Sequence, residues 1–200
     1  MTVILVLLAA YLIGGIPFGY LLVKWKTGRD VRAMGSGNIG ATNVLRTRGR
    51  MAGVVTLLLD GGKGYLAVWL AAHFLNGSEL WMSAAAAAVV VGHAFPAVLK
   101  FQGGKAVASF VGAFLCLQPV PVLATLLIFI AVVAATRFIS LGSILGAAAF
   151  PFAVWLISHP GAPAILSAAA CSTLVIWRHH ENIGRLLAGT ENVFRFGGKR

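Results

Sequence analysis

Apolar runs of membrane length, separated by short basic or glycine-rich segments, recur along this chain and dictate what it can fold into. Runs of about 20 apolar residues match a hydrocarbon core roughly 30 Å thick, in which the backbone must satisfy its own polar groups and helices are favoured. Residues 2–23, 80–99, 119–136, 140–158 and 161–177 are such runs. Residues 51–75 form another, interrupted by Asp60 and Lys63. The uninterrupted part after Gly64 is too short to cross at about 1.5 Å per residue, so a break at or within the membrane boundary is expected. Residues 106–138 are too long for one straight span, and Pro119 and Pro121 divide them into a short helix over 106–117 and a further span. The count is then seven.

Composition agrees: 59% hydrophobic and 10% charged residues, with mean hydropathy +0.90, describe an integral membrane protein. A soluble domain carries about a quarter of its residues charged. A net charge of +11 would suggest nucleic acid in a soluble protein, but here the cations cluster between the apolar runs and follow the positive-inside rule. With seven spans and the N-terminus outside, the external connections near Asn76, Gln118 and Pro160 carry no Lys or Arg. Six spans would move Arg137 and the basic end from Arg178 to Arg200 outside. The expected fold is an all-α polytopic membrane protein: a seven-transmembrane-helix bundle, N-terminus outside and C-terminus cytoplasmic, forming a single domain over 1–200. The first run lacks a basic leader and a small-residue cleavage site, so it reads as a retained helix. Cys116 and Cys171 lack metal-ligand spacing and read as packing residues. Ala84–Ala88, Gly142, Gly146 and Ala147–Ala149 would let helices approach closely, within one bundle or between subunits, so oligomeric state stays open.

Three glycine-rich stretches carry the candidate chemistry: Gly35-Ser36-Gly37-Asn38-Ile39-Gly40-Ala41-Thr42-Asn43, Asp60-Gly61-Gly62-Lys63-Gly64 and Phe101-Gln102-Gly103-Gly104-Lys105. Glycine lets successive N–H groups converge on an anion, and a neighbouring cation adds full charge, so each reads as a phosphate nest. In the first, Ser36, Asn38, Thr42 and Asn43 accompany Arg46, Arg48 and Arg50, a set suited to a polyol phosphate or simply to a polar interfacial turn. Asp60 and Lys63 face a site, or form a structural ion pair that stabilises a helix break. In the third, Lys105 opens a helix whose N-terminus would favour an anion, while His93 reads as a packed, hydrogen-bonded residue. Past the last span, His179, Asn182 and Arg185 would share a helical face if the helix continues; the end from Arg195 to Arg200 reads as a solvated tail near anionic headgroups.

Absences narrow the reaction. Five carboxylates, none paired in a local motif, argue against a two-metal phosphatase or polymerase site, so no metal is expected. No His precedes an Asp by five positions, the spacing of the commoner glycerolipid acyltransferases. Neither a Gly-x-Ser-x-Gly elbow nor a Gly-x4-Gly-Lys-Ser/Thr loop is present.

Taken together, Ser36 to Arg46, Asp60 to Gly64, Gly92 to Ala108 and Arg178 to Leu186 resemble, in order and spacing, the bacterial acyl-phosphate:glycerol-3-phosphate acyltransferase family, the PlsY type. The resemblance implies a bacterial inner-membrane enzyme with a cytoplasm-facing site. It would transfer an acyl group from acyl phosphate to the 1-position of glycerol 3-phosphate, giving lysophosphatidic acid and phosphate, the first acylation of phospholipid biosynthesis. By matching motif positions, Ser36, Lys105, His179 and Asn182 are the catalytic candidates. Asn38, Thr42, Arg46, Gly61, Gly62, Lys63, Gly64, Gly103 and Gly104 are the substrate- or phosphate-binding ones. His179 is either general base or phosphate ligand. Substrates and membrane lipid are the expected partners, with no cofactor and no nucleic acid. A small transporter or channel for a phosphorylated or anionic solute is the competing reading; it would place polar groups toward the midplane from both sides, whereas here they gather on one.

Overall fold

Proline and glycine decide where the apolar runs are cut. The computed structural model describes residues 1–194; the expected basic tail from Arg195 to Arg200 lies outside them. The described residues fold into helices and connecting turns, in two compact units, residues 1–117 and 118–194.

In the first unit, Pro17 brings no N–H to the helix ladder, and the expected single span over 2–23 becomes two helices. These are α1, Thr2–Gly14, and α2, Phe18–Thr27, bent by 43°. At about 1.5 Å per residue α1 covers only roughly 20 Å. The Ile16 carbonyl exposed by the break accepts a hydrogen bond from Lys63 Nζ at 2.7 Å. After α2 the chain passes a 3-10 turn, Val31–Ala33, and a glycine-rich loop into α3, Ala41–Arg48. Beneath that loop, Val23, Val31, Ile39, Val44, Ala52 and Leu99 form a buried apolar cluster.

Helix α4 runs from Arg50 to Phe74 without interruption, which overturns the expected break at Asp60–Gly64. In lipid an intact helix satisfies its own backbone, and the two charges neutralise one another one turn apart, Lys63 Nζ lying 2.8 Å from Asp60 Oδ1. Gly61 and Gly64 serve packing instead. A Cβ on Gly64 would overlap the Ser109 carbonyl, and one on Gly112 would overlap that of Gly61. Small residues thus bring α4 against α6, Val107–Leu117. Helix α5, Glu79–Ala94, packs on α1 in the same way, a Cβ on Gly14 overlapping the Val89 carbonyl and one on Gly92 that of Tyr11.

The second unit opens with α7, Pro119–Thr136, whose first turn tolerates both prolines because its N–H groups need no helical partner. Helix α8, Ile139–Ala153, continues through a π-type turn, Val154–Ser158, following Pro151. Helix α9, Ala162–Trp177, ends at Arg178, and α10, His180–Leu187, follows. Side chains such as Leu127, Ile130, Phe152 and Leu166 point outward, as lipid-facing residues do. Among the described residues four helical segments are long and apolar enough to cross a membrane, Arg50–Phe74, Glu79–Leu99, Pro119–Thr136 and Ile139–Ser158, and five when the bent α1–α2 pair counts as one span.

Candidate active site

One buried side chain organises the first loop. Asn43, 1% exposed on α3, accepts the Ser36 N–H at 2.9 Å through Oδ1. Its Nδ2 donates to the carbonyls of Asn38 at 2.8 Å, Met34 at 3.0 Å and Val31 at 3.3 Å. The amide orientation follows from those partners, since carbonyls can only accept. Gly35 and Gly37 adopt φ of +59° and +72°, which lets the chain curl around that amide. Asn38 Oδ1 accepts the Gly40 N–H at 2.9 Å. The half-buried Ser36 is therefore held by its backbone, leaving its hydroxyl outside this set of bonds. Thr42 and Arg46, four residues apart on α3, share a helical face; Arg46 is exposed. Arg48 braces the loop from behind, its Nη2 donating to Thr27 Oγ1 at 3.2 Å. Nearby, the Arg32 guanidinium donates to Asp30 at 2.7 Å and holds that carboxyl below its ordinary range against the opposing effect of burial.

Gly103, Gly104 and Lys105 lie in the non-helical segment before α6, in the same unit. Gly104 N–H donates to the His93 carbonyl at 3.1 Å, and a Cβ on Gly104 would collide with the His93 ring. Lys105 is half-buried, between Gly104 and an Ala106 held at φ +60°. The expectation of a packed, hydrogen-bonded His93 agrees with its burial and its 3.0 Å contact from Nδ1 to Ser109 Oγ.

The Asp60–Gly64 stretch departs from the sequence reading. Its N–H groups belong to a continuous helix and cannot converge as a nest. Lys63, buried, is engaged by Asp60 and the Ile16 carbonyl. An apolar groove of about 430 Å³ opens at the α1–α2 bend, lined by Tyr11, Leu12, Pro17, Tyr20, Leu21 and Val98. The Tyr20 hydroxyl accepts from Lys24 Nζ at 2.8 Å.

In the second unit the helix does not continue through the His179 motif, so His179, Asn182 and Arg185 do not share one uninterrupted face. His179 sits at the cap of α10, 3% exposed, with Nδ1 2.7 Å from the Val175 carbonyl. A carbonyl only accepts, so Nδ1 carries the hydrogen and the neutral ring has its lone pair on Nε2. Asn182 Nδ2 and Ser140 Oγ donate to Glu191 Oε1 at 2.8 and 2.9 Å, and Arg185 Nε donates to Oε2 at 2.8 Å. Burial pushes the Glu191 carboxyl up, but the bonds from Asn182, Arg185 and Ser140 outweigh it and leave the group below its ordinary value. Sequence reasoning missed Glu191, Ser140 and Ser109. Nine residues separate Asn182 from Glu191, beyond helical spacing; the usable signal was Gly189, whose φ of +67° ends α10 and turns the chain back.

The glycerol-3-phosphate acyltransferase family model matches residues 4–189. A glycerol-3-phosphate acyltransferase of Desulforamulus reducens is 44% identical over 199 residues, covering 100% of this chain and 98% of its own. One from Geotalea daltonii is 46% identical over 192 residues, covering 96% of this chain and 97% of its own. Among solved structures, the glycerol 3-phosphate form of PlsY (YgiH), an integral membrane glycerol 3-phosphate acyltransferase, matches with TM-score 0.92 at 34% identity, covering 98% of this chain and 96% of that one. The lysophosphatidic acid form of the same protein matches with TM-score 0.89 at 32% identity, over the same shares of each chain. With motifs, fold and full-length similarity in agreement, this chain belongs to the glycerol-3-phosphate acyltransferase family.

Proposed function

We propose that the chain transfers an acyl group from an acyl phosphate to the 1-hydroxyl of glycerol 3-phosphate, releasing lysophosphatidic acid and inorganic phosphate. The hydroxyl oxygen forms a bond to the acyl carbonyl carbon, the bond from that carbon to the phosphate oxygen breaks, and the hydroxyl proton passes to His179 or to a substrate phosphate. The donor is already a mixed anhydride, so the enzyme needs to align the hydroxyl and offset phosphate charge rather than form an acyl-enzyme. The observation that carries the reading is the Ser36 loop, cinched by Asn43 into a fixed turn at the foot of the helix that bears Arg46.

In this reading Lys105 and Arg46 are the principal phosphate cations, with Gly103 and Gly104 letting the backbone approach. Ser36, Asn38 and Thr42 orient oxygen atoms. Asn182, oriented by the bond from its Nδ2 to Glu191 Oε1, orients a reacting oxygen as Ser36 does. His179 presents Nε2 as base or ligand. Lys63, Gly61 and Gly64 support the site from within α4, by ion pairing and close packing, in place of a phosphate nest, while Gly62 faces open space and takes no part in that packing. The groove at the α1–α2 bend, open and apolar, suits an acyl chain.

The whole chain, residues 1–200, serves as one acyltransferase domain in a bacterial inner membrane. Counting the bent pair, the four long segments and the shorter apolar helices Val107–Leu117 and Ala162–Trp177 gives seven passes, N-terminus outside and the basic connections in the cytoplasm.

The test uses purified protein in detergent, palmitoyl phosphate and glycerol 3-phosphate, with phosphate and lysophosphatidate both quantified. Turnover that depends on acyl phosphate and collapses in Lys105→Ala is expected. Equal turnover with palmitoyl-CoA would refute the donor assignment, and none with either donor would refute the reaction.

A further inference from the structure

Behind Lys105 lies a buried chain of hydrogen bonds that ties its segment to α4. Ser109 Oγ, fully buried on α6, donates its one proton to the backbone carbonyl of Asp60 at 3.0 Å. Toward His93 Nδ1, 3.0 Å away, the same oxygen must accept, so Nδ1 carries a hydrogen and the orientation of the imidazole is set. The His93 carbonyl takes the Gly104 N–H, and a Cβ on Gly104 would run into Nε2 of the His93 ring. A Cβ on Gly103 would likewise strike the carbonyls of His93 and Ala94 and the Pro96 ring. The glycine pair is thus moulded onto His93, both backbone and ring.

That moulding has work to do. Ala106 stands at φ +60°, and Lys100 and Phe101 at +53° and +62°, conformations costly for residues with a Cβ and kept only where surroundings over-determine them. Lys105, itself half-buried, sits inside this strained stretch, on a backbone whose direction the glycine pair sets. The relay begins at a rigid point, because the Asp60 side chain is itself paired with Lys63, which ties α4 to the α1–α2 break.

We propose that His93 and Ser109 are positioning residues for Lys105: the path from the Asp60 carbonyl through Ser109 and His93 to Gly104 fixes where the Lys105 ammonium meets a substrate phosphate. Neither side chain touches substrate. The assignment rests on the reading of Lys105 as a phosphate cation.

The experiment compares wild type, Lys105→Ala, Ser109→Ala, His93→Gln, His93→Asn and the double variant Ser109→Ala/Lys105→Ala, with palmitoyl phosphate and glycerol 3-phosphate varied separately and Tm recorded for each. Ser109→Ala and His93→Gln should lower kcat/KM by about 10- to 100-fold, the range set by a misplacement near 1 Å. The loss should fall on the KM of the same substrate whose KM rises in Lys105→Ala. An asparagine amide nitrogen occupies the place of Nδ1, whereas that of glutamine occupies the place of Nε2, so His93→Asn should recover most of the loss and His93→Gln should not. Because the relay acts through Lys105, Ser109→Ala should add less than about threefold in the Lys105→Ala background.

Full additivity in the double variant would overturn the proposal, as would loss on the substrate that Lys105→Ala leaves alone. So would a His93→Asn enzyme as impaired as His93→Gln, which would give the ring itself a chemical part. Lowered Tm with wild-type kinetics per folded molecule would reduce the relay to a stability element and equally refute it. If Ser109→Ala does not fold, the contrast between the two His93 variants decides the matter. An inactive wild type would instead remove the reading of the reaction, and the proposal with it.

Discussion

Replacing Asn43 tests how the loop before α3 is held. Its side chain makes three hydrogen bonds at 3.0 Å or shorter, to Ser36, Met34 and Asn38, and a longer one to Val31 at 3.3 Å. At about 1 kcal/mol net for each, Asn43→Ala forfeits roughly 3 to 4 kcal/mol of loop ordering, with the freed backbone groups relieved only where water enters. Each 1.4 kcal/mol is tenfold, so the ratio of ordered to disordered loop falls by about two to three orders of magnitude, and kcat/KM should fall with it. Asn43→Asp sharpens the test. It keeps Oδ1 for the Ser36 N–H but sets an anionic oxygen against three carbonyls in place of a donor. Nearly isosteric, it should nevertheless be at least as impaired as alanine. The assay is kcat/KM for acyl phosphate and glycerol 3-phosphate, with trypsin cleavage at Arg29 and Arg32 reporting the order of the loop. An aspartate enzyme more active than the alanine one, or an alanine enzyme within about fivefold of wild type, would refute the reasoning.

Three further outcomes follow from the same structure. Asp60→Asn or Lys63→Met should each destabilise by about 3 to 5 kcal/mol, since each leaves a buried charge unpaired, while Asp60→Leu/Lys63→Met should recover much of the loss; thermal unfolding in detergent ranks them, and additive losses would contradict a paired role. Gly112→Ala would force a Cβ into the Gly61 carbonyl and part α4 from α6, costing about 1 to 3 kcal/mol, seen as a lower Tm, whereas alanine at Gly62, where nothing lies within 4 Å, should be neutral or better. Because the Glu191 carboxyl is depressed when folded, its contribution is complete above the unfolded glutamate value of roughly 4.3 and is lost as pH falls through the lower folded one; wild-type Tm should therefore drop faster than that of Glu191→Gln below about pH 4, and parallel curves would exclude the linkage.

The membrane class and most helix limits could be read from the chain because they rest on local rules. Pro119 at the start of α7 and the apolar runs that became α5, α8 and α9 needed no partner to be legible. Pro17 was just as visible, yet the long apolar run hid its effect; breaking α1 from α2 became affordable only when Lys63, 47 residues away, met the Ile16 carbonyl. The glycines of Asp60–Gly64 misled for a related reason. Glycine serves an anion nest and a tight helix contact equally well, and only the arrival of α6 against α4 selects between them.

The candidate site divides along the same line. Sequence alone determined the residue types that can answer phosphate, namely Ser36, Arg46 and Lys105 beside glycine, because charge and hydrogen-bonding capacity are properties of single side chains and their neighbours in the chain. Tertiary structure decided which polar groups support them: Asn43 inside its loop, Ser109 behind His93, and Glu191 receiving Asn182, Arg185 and Ser140. Those groups are buried, and burial obliges each to find a partner wherever folding places one, often dozens of residues distant. No local pattern records such a pairing.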